Sequence, residues 1–515
     1  MNIFLRICCI LPPAISISIC SQAQLPDDAF RLSWTTPLGT AREQAIGGAM
    51  GSLGGEISSL FINPAGLGTY KTNEFVLSPG FHFNSNNTNY RGTSSYGSTV
   101  GSFGLGATGA VISFADQDGT HSTLCIGVNQ TANFKNSLYY TGQNNYSSYA
   151  EQFAEEFSAS GLSINDAISS PALSYGTRMA LYTYLIDTAT VNGSTQIIAL
   201  PEKAGLLNQQ NQVSSQGSTT EVALGYAGNF NRRWFAGISV GVPIVYYRRQ
   251  LSFVETDATG NQNNDFASSI YQETYLSKGS GVNLKFGGIF KATPMIRLGL
   301  AIHTPTVYTL SDNISASMTT NTENYAHIVS ITSAQLDSGS GFAAAQSQYN
   351  VQSPWKFLVS GSYIFQEIED VTQQRGFVTA DVEYVTYHAM QLKPNDHSAQ
   401  PAAYFDAVNS AIRSVYRNGL NFRLGGELKF DIWAARIGFS YSTNPYKQPG
   451  IAADRILLSA GAGYRNKGFF IDLTYVQGLA KDVNFPYRLS EKANTFATIK
   501  ENSGTVLVTA GIKFL

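Results

Sequence analysis

Hydrophobic and polar positions alternate along most of the chain from residue 74 onward. The alternation comes in segments of about 10 to 14 residues, the length that a tilted strand needs to cross a bilayer. In the last segment, for example, Val506, Val508 and Ile512 alternate with Thr509 and Lys513. One face of such a strand is apolar and the other is polar, so the pattern predicts strands that separate two different surroundings.

Fourteen segments of this kind follow one another, with turn-forming residues between them. They lie near 75–84, 102–115, 120–131, 221–231, 233–249, 281–292, 295–308, 354–366, 375–388, 420–431, 433–443, 455–466, 468–477 and 504–514. Because the count is even, both ends of a barrel built from these strands lie on the same side of a membrane.

The connections between the segments alternate in length. Those after even-numbered segments are mostly tight, whereas those after odd-numbered segments are expected to be outer loops, at 132–220, 250–280, 309–353 and 389–419. Short turns on one side and long loops on the other are typical of outer-membrane barrels. We therefore predict an all-β fold, a 14-stranded antiparallel transmembrane outer-membrane β-barrel over residues 74–515, with a soluble β-sandwich as the alternative.

Two of the outer loops contain helical patterns. Tyr149, Phe153 and Phe157 form an i, i+4 stripe, and a second stripe runs from Tyr404 to Val415. Both stripes are expected to pack against the mouth of the barrel. The stretches 208–220 and 256–265 are rich in Gln, Asn, Ser and Thr, and we expect them to be mobile loops.

The segment before the first strand has neither a helical nor a strand period. Between Gly47 and Gly68 it carries too many glycines for a stable helix. At its end Asn63-Pro64-Ala65 fixes a turn, since proline locks its own φ and moves Asn63 out of the helical region. We expect residues 24–73 to form a plug, or hatch, inside the barrel.

Residues 1–23 have the features of a secretory signal peptide, with an apolar core after Arg6 and small residues before Gln24. Three of the four cysteines would leave with this peptide. Cys125 alone would remain, so no intrachain disulfide could form in the mature chain. With the barrel pattern, these features predict the outer membrane of a diderm bacterium.

Composition agrees with a protein that has large polar and large apolar faces. Charged residues make up 13% of the chain and the formal net charge is −2, so nothing points to nucleic-acid binding. No metal-ligand spacing, phosphate-binding loop or nucleophile elbow stands in a fitting context. We predict no enzymatic activity, no catalytic residue, no metal and no cofactor; a lipid-acting hydrolase is the enzymatic alternative.

Four blocks of the sequence, taken in order, resemble the FadL/TodX-type outer-membrane transporters of long-chain fatty acids and aromatic hydrocarbons. They are the N-terminal block that ends in Asn63-Pro64-Ala65-Gly66-Leu67-Gly68, the hairpin 225–248, the segment 353–384 and the segment 436–454. Together these blocks span almost the whole chain after the signal peptide. The resemblance implies a plugged 14-stranded barrel that passes hydrophobic molecules.

The resemblance also implies a route for the ligand. In that family the ligand is caught at the outer face, moves to a lumenal pocket and leaves sideways through a gap made by a kink in the third strand. Here the third segment holds Gly127, Asn129 and Asn133. These three are candidates for such a kink, because Gly and Asn fit regular strands poorly.

A basic residue for a ligand carboxylate is suggested by the resemblance at the end of the hairpin, where Arg248 and Arg249 stand side by side. By strict alternation, Arg249 faces the lumen and Arg248 faces the lipid or the interface. Both residues are candidates, and an arginine that reaches toward lipid phosphates is the alternative reading.

We expect passive uptake of hydrophobic or amphipathic small molecules such as long-chain fatty acids, with lateral exit from the barrel. The alternative is a non-transporting barrel that serves as a secretion-associated or docking subunit. The expected partners are the hydrophobic ligand, membrane lipid and the barrel-assembly machinery, and the protein is expected to be a monomer. Two features depart from the family pattern: Phe514 is penultimate rather than terminal, and the helical insertions follow segments three and nine rather than five and seven.

Overall fold

The computed structural model describes residues 26–115, 121–191, 194–340, 346–365, 375–398, 401–448 and 450–514. The predicted signal peptide, the tight turn expected at 116–119 and the connection at 367–374 lie outside these ranges. Within them, no helix has the length and hydropathy that a membrane-spanning helix needs.

Strands dominate the described part of the chain. They are β1 (Asn73–Leu77), β2 (Pro79–Tyr90), β3 (Thr93–Tyr96), β4 (Val100–Leu105), β5 (Thr108–Ala115), β6 (His121–Asn133), β7 (Asn136–Asn144), β8 (Ile186–Val191), β9 (Ser194–Ala199), β10 (Leu207–Phe230), β11 (Trp234–Asp257), β12 (Ser268–Lys291), β13 (Ile296–His303), β14 (Val307–Asn321), β15 (Ile328–Thr332), β16 (Gln346–Gln352), β17 (Lys356–Phe365), β18 (Gly376–Val385), β19 (Gln391–Pro394), β20 (Gly419–Phe430), β21 (Trp433–Ser442), β22 (Arg455–Asn466), β23 (Phe469–Asn484) and β24 (Ala497–Phe514).

These strands form a closed 14-strand antiparallel β-barrel, which confirms the predicted fold class. The last strand, β24, pairs with β1 and β2 and so closes the sheet on itself. The first, third, seventh, eighth and ninth crossings of the barrel are each made of two strand segments, and the second is made of three. Pro305 and Pro354 stand at two of these breaks, where a residue without an N–H cannot continue the ladder.

The alternation that predicted the strands separates the outside of the barrel from its lumen. On β11, Ile238, Val240, Val242, Ile244 and Tyr246 are exposed, while the residues between them are turned into the lumen and are mostly buried. Side chains of the same kind encircle the barrel on its outer face. This apolar belt is the surface that a transmembrane barrel presents to lipid. On other strands it includes Phe75, Phe103, Ile126, Leu224, Val282, Leu300, Val359, Leu424, Ile437, Leu458, Leu473 and Val506.

Short turns lie at one end of the barrel, as the connection lengths predict. Two-residue turns include Asp431-Ile432 between β20 and β21, where Asp431 has φ 54, and Lys467-Gly468 between β22 and β23, where the two residues have φ 46 and φ 84. Positive φ at such positions matches the right-handed twist of the flanking strands.

The strands β10, β11 and β12 each have 24 residues, more than twice the number needed to cross a bilayer. They therefore continue beyond the apolar belt on the side of the long connections, which is the outer side. The prediction of a mobile loop over 208–220 is wrong, because this stretch is the first half of β10 and pairs with both β7 and β11. Its Gln, Asn and Ser side chains suit a strand that has left the lipid, where neither face needs to be apolar.

Helices form a cap on this outer side. The two predicted helices are present as α4 (Glu151–Ser160) and α8 (Ala402–Val415). Three further cap helices were not predicted: α5 (Ile164–Ser169), α6 (Tyr175–Tyr182) and α7 (Ser333–Ser340). Tyr149, Phe153 and Phe157, the predicted stripe, lie in the core of the cap against Phe253 and Tyr271 of the extended strands.

Candidate functional site

The residues before β1 lie within the barrel. They comprise α1 (Pro26–Ser33), α2 (Ala41–Ala45), α3 (Ser59–Ile62) and a 3-10 helix at Pro64–Thr69. We call residues 26–72 the N-terminal segment. From Ala41 to Gly68 nearly all of its residues are buried, because the polar inner faces of the barrel strands surround them. Glycine permits the contact: a Cβ at Gly47 would lie 2.7 Å from the backbone oxygen of Phe439 on β21.

Asn63 fixes the end of the N-terminal segment to the barrel wall. Its side-chain amide donates to the carbonyl oxygens of Gly51 at 2.6 Å, Leu300 at 3.2 Å and Gly288 at 3.3 Å. Its side-chain oxygen accepts a hydrogen bond from the amide of Ala65 at 3.1 Å. Asn63 therefore caps the 3-10 helix that starts at Pro64 and also joins the segment to β12 and β13.

An ionic network joins the N-terminal segment to the opposite wall. Arg42 Nε lies 3.0 Å from a carboxylate oxygen of Glu427 on β20, and Arg436 Nε lies 2.6 Å from the same oxygen. Arg436 also contacts Asp472 at 2.6 Å, and Arg465 approaches that carboxylate at 3.7 Å. Buried charges are tolerated here because each lies within ion-pair distance of a group of opposite sign.

Helix α1 lies on the outer side of the lumen, beneath α8. The ring of Phe30 stacks on Tyr416 with 4.8 Å between the ring centroids, and Trp34 stacks on Tyr387 at 5.7 Å. Within the N-terminal segment, α1 thus touches the outer cap, while Arg42 and Asn63 bind the barrel wall further along the chain.

Between α1 and α2, residues Thr36 to Gly39 fill an interruption in the barrel wall. The pairing of β5 with β6 ends at Thr108 and Val128, and within the described residues β4 pairs with β2 but not with β6. The exposed edge of β6 is used instead by the N-terminal segment, in which Thr36 N donates to Thr131 O at 3.0 Å and Leu38 N donates to Gln130 O at 2.9 Å. We call this place the wall gap.

The three residues singled out on the third strand differ in their surroundings. Gly127 is paired regularly with Gly109 and Ala223, so the strand is not interrupted there. Asn129 accepts a hydrogen bond from Gly39 N at 3.1 Å, and Asn133 donates to Ser102 Oγ of β4 at 2.7 Å. Asn129 and Asn133 therefore lie at the wall gap, and Gly127 precedes it.

A cavity of about 630 Å³ lies between the N-terminal segment, the cap and the wall gap. Its wall has both aromatic and charged parts. The rings include Phe30, Trp34, Phe134, Tyr247, Tyr308, Tyr387 and Tyr446, and the cations are Arg31, Lys135, Arg249, Lys285, Lys356, Arg423 and Arg455.

Most of these cations form an ion pair with a carboxylate. Lys285 is paired with Glu221, and Arg423 lies 3.0 Å from Glu383. Lys356 differs, since its ammonium donates to Thr35 Oγ1 at 2.8 Å, and Arg455 lies over the ring of Trp34, 5.2 Å from its centroid. Neither has a carboxylate within ion-pair distance in the part of the chain that the structure describes.

The predicted arginine pair divides between the two faces of β11. Arg249 is turned to the lumen and lines the cavity, while Arg248 lies on the outer face. Arg249 Nη2 already contacts Glu273 Oε1 at 2.7 Å, and its guanidinium lies 5.4 Å from the ring of Tyr275. Lys356 and Arg455, which have no such partner among the described residues, were missed, although strict alternation along β17 and β22 turns both of them inward.

No protein-family model matches the sequence, and no curated protein matches it significantly. Solved structures match the fold. A FadL homologue from Pseudomonas aeruginosa aligns over 94% of this chain and 100% of its own, with a TM-score of 0.56 and 13% identity. The toluene transporter TodX from P. putida aligns over 92% and 98%, with a TM-score of 0.50 and 13% identity. The chain therefore has the FadL/TodX fold, which confirms the predicted resemblance at the level of the fold.

Proposed function

We propose that this protein is a passive outer-membrane channel for amphipathic small molecules that have an apolar body and one acidic head group, such as long-chain fatty acids. The observation that carries the proposal is the wall of the cavity. Aromatic rings stand there beside Lys356 and Arg455, two cations that lack a carboxylate partner among the described residues. A cavity of about 630 Å³ is within the range of small-molecule sites.

The head group would lie between Lys356 and Arg455. A carboxylate accepts short, charge-assisted hydrogen bonds from ammonium and guanidinium groups, and these are stronger than bonds between neutral groups. In the structure, Lys356 contacts Thr35 and Arg455 contacts Trp34. A bound carboxylate would replace the Thr35 hydroxyl at Lys356, while the alkyl chain would pack on the aromatic rings.

The apolar belt supports placement of the barrel in a bilayer, and the fold supports the outer membrane. The two solved structures compared above are a FadL homologue and a toluene transporter, which supports transport of hydrophobic compounds. We propose that the N-terminal segment is the plug that the sequence predicts over residues 24–73 and that it blocks passage straight through the barrel.

The exit that we propose is the wall gap. Thr36 and Leu38 hold it closed from inside through two hydrogen bonds to β6, and Gly39 O accepts a third from Ala107 N at 2.7 Å. These hydrogen bonds join the barrel wall to the N-terminal segment and do not join one barrel strand to another. A displacement of the N-terminal segment can therefore open the wall while all pairs of barrel strands stay intact. Ligand would then pass sideways into the lipid.

The proposal is tested by binding of an acid and of its neutral analogue. Purified protein, freed of detergent in nanodiscs, would be titrated with radiolabelled oleate and with oleyl alcohol. The double substitution Lys356→Met and Arg455→Met is expected to weaken oleate binding roughly tenfold or more, because two charged hydrogen bonds are lost, and to leave the alcohol unaffected. Lys278→Met, on the exposed outer face of β12, is the control. Equal affinity for oleate in the double variant would contradict the proposal.

A second function is favoured by the size of the cap, whose buried core includes α4 and the extended strands. A barrel that docks a partner or belongs to a secretion system, and does not transport, would also need such a surface. Capture of a stoichiometric partner from native membranes, together with a lumen that contains no lipid or fatty acid by mass spectrometry, would favour this second function.

A further inference from the structure

Three separate segments meet at the outermost part of the cap. They are the link from α6 to β8, the loop between β11 and β12, and the turn between β14 and β15. Glu323 of the turn accepts hydrogen bonds from the backbone amides of Asn264, at 3.0 Å, and Asp265, at 3.1 Å. Tyr325 of the same turn donates its hydroxyl proton to Asp187 of β8 at 2.5 Å. The three segments therefore form one rigid surface.

This surface exposes large apolar side chains outside the apolar belt. Tyr182 and Tyr184 are each 43% exposed, Tyr325 is 53% exposed and Ile328 is 68% exposed. The rings of Tyr184 and Tyr325 meet edge to face, with 6.0 Å between their centroids. We call these four residues the tip patch. Because the patch belongs to the cap, lipid does not cover it, and a cluster of this kind in water marks an interaction surface.

Backbone strain is concentrated at the same place. Among the described residues, nine that are not glycine have positive φ. Five of them lie at tight turns between paired strands, where such values are ordinary: Arg91, Asn231, Arg232, Asp431 and Lys467. The other four lie in the three segments of the tip: Tyr184 at φ 57, Asp265 at φ 65, Glu323 at φ 54 and His327 at φ 58.

Backbone conformations of this kind persist only where the surrounding structure enforces them, and they cluster at functional sites. Here the hydrogen bonds of Glu323 and Tyr325 enforce them. The result is a fixed pair of exposed tyrosine rings, so little conformational entropy would be lost when a partner binds.

The charge around the tip patch is negative. Asp187, Asp265 and Glu323 surround the rings, and among the described residues of the tip the cation that faces them is Lys203, 2.7 Å from Asp265. The hydrogen bond to Asp187 raises the pKa of the Tyr325 hydroxyl to about 12, which is a further sign of the negative field. An anionic partner, such as a lipid phosphate, would be repelled.

We propose that the tip patch binds a lysine- or arginine-rich segment of a partner protein at the cell surface. The faces of Tyr184 and Tyr325 attract a cation through their ring quadrupoles, and the neighbouring carboxylates supply the opposite charge. Tyrosine is also among the residues that contribute most to protein interfaces. This role is independent of whether the lumen conducts a ligand.

The test uses the full-length protein in detergent micelles and three fluorescent decapeptides of matched length, one rich in lysine and arginine, one rich in glutamate and one of glycine and serine. We expect the cationic peptide alone to bind, with an affinity that falls as salt is raised. The double substitution Tyr184→Ala and Tyr325→Ala is expected to weaken this binding about tenfold, which corresponds to the loss of two exposed cation–π contacts.

Tyr96→Ala is the matched control, since Tyr96 is 76% exposed on the separate β2–β3 hairpin and its removal also deletes one exposed ring. Circular dichroism and the gel mobility of unheated samples would establish that each variant is folded. Asp187→Asn is a second variant that keeps the rings and is expected to weaken binding through charge alone. Unchanged affinity in both tip variants, or binding of the neutral or acidic peptide as tight as that of the cationic one, would overturn the proposal.

Discussion

Glu427 is the residue through which the N-terminal segment is tied to the ionic network of the barrel wall. It accepts from Arg42, which belongs to the segment, and from Arg436, which belongs to β21. The Glu427 carboxylate is buried, so neither arginine could exchange it for water without a large loss of electrostatic energy. The Glu427 carboxylate is therefore one of the contacts that attach the segment to the barrel wall.

We predict that Glu427→Gln loosens the N-terminal segment. The amide keeps the shape of the side chain but removes the charge that both arginines share, and breaking a buried ion pair typically costs about 3–5 kcal/mol. The measurement is limited proteolysis of the folded protein in detergent, followed by mass spectrometry of cleavage within residues 26–72. Glu491→Gln, in an exposed outer loop, is the control. Equal cleavage rates in the two variants would count against the attachment.

Arg249 is expected to act on stability rather than on ligand binding. Its ion pair with Glu273 occupies the guanidinium, so Arg249→Met would leave that carboxylate without a counter-charge. We predict faster hydrogen exchange over residues 249–275 and an oleate affinity within about twofold of the unsubstituted protein. Arg248→Met, on the outer face of the same strand, should change neither quantity. A large loss of oleate affinity in Arg249→Met would restore this residue as the head-group site.

Residue orientation was the part of the site most open to prediction. A period of two places Arg249, Lys356 and Arg455 on the lumenal face without any knowledge of the structure. What a period cannot supply is the partner of each side chain. Glu273 is 24 residues from Arg249, and Thr35 is 321 residues from Lys356. Contacts between residues so far apart in the sequence decide which cation is neutralised. The sequence alone therefore did not distinguish Arg249, which is paired with a carboxylate, from Lys356, which is not.

At the scale of elements, the N-terminal segment is the part whose movement would matter most. α1 packs beneath α8, the next residues close the wall gap, and α2 begins where Thr40 forms a capping box with Glu43. Along the chain, no long helix lies between these three contacts. A displacement of α1 by a ligand that arrives from the cap would therefore be transmitted along the chain to the wall gap.

We predict that Phe30→Ala frees both α1 and the closure of the wall gap. The substitution removes the stacked contact with Tyr416 and the edge contact with Tyr387. Aromatic truncations in a packed cluster typically cost about 3–5 kcal/mol. Hydrogen exchange should therefore accelerate over residues 26–39, which include the donor amides of Thr36 and Leu38, and at the amide of Ala107, which donates to Gly39 O. Acceleration restricted to α1 would show that α1 and the gap are not coupled.

Elements inside the apolar belt were predictable and those beyond it were less so. Strands such as β20 and β23 alternate strongly because one face meets lipid and the other meets water or the ionic network. The outer half of β10 has no lipid on either side, so its polar sequence resembles that of a loop. The wall gap is a third case: Thr36 occupies the edge of a strand 95 residues away, at Thr131, and no local pattern marks such a pairing.

At the scale of the whole molecule, we propose that the barrel, the N-terminal segment and the cap divide the work of a selective channel. The belt holds the barrel in lipid, the cap and α1 cover the lumen from outside, and the ionic network holds the segment that we propose as a plug. If the segment is the plug that we propose, solutes have no open path through the lumen while the segment is in place.

We predict that deletion of residues 42–68 converts the protein into an open pore. The deletion removes the contacts of Arg42 and Asn63 and leaves the fourteen barrel strands unchanged. Single-channel recordings in planar bilayers should give a large, stable conductance for the deletion variant and almost none for the full chain. Equal conductance in the two would mean that the segment is not a plug.

The central claim is that ligand leaves through the wall gap, and reversible closure of that gap tests it most directly. Ser102 and Asn133 face each other across the gap, with 2.7 Å between the hydroxyl oxygen and the amide nitrogen, so Ser102→Cys and Asn133→Cys would place two thiols where a short bifunctional thiol reagent can join them. Uptake of radiolabelled oleate would be followed in cells that carry the double variant, before cross-linking, after cross-linking through a reducible linker, and after reduction. We predict that cross-linking abolishes uptake and reduction restores it, while either single cysteine treated in the same way transports normally; uptake that continues at full rate through a fully cross-linked barrel would contradict the account.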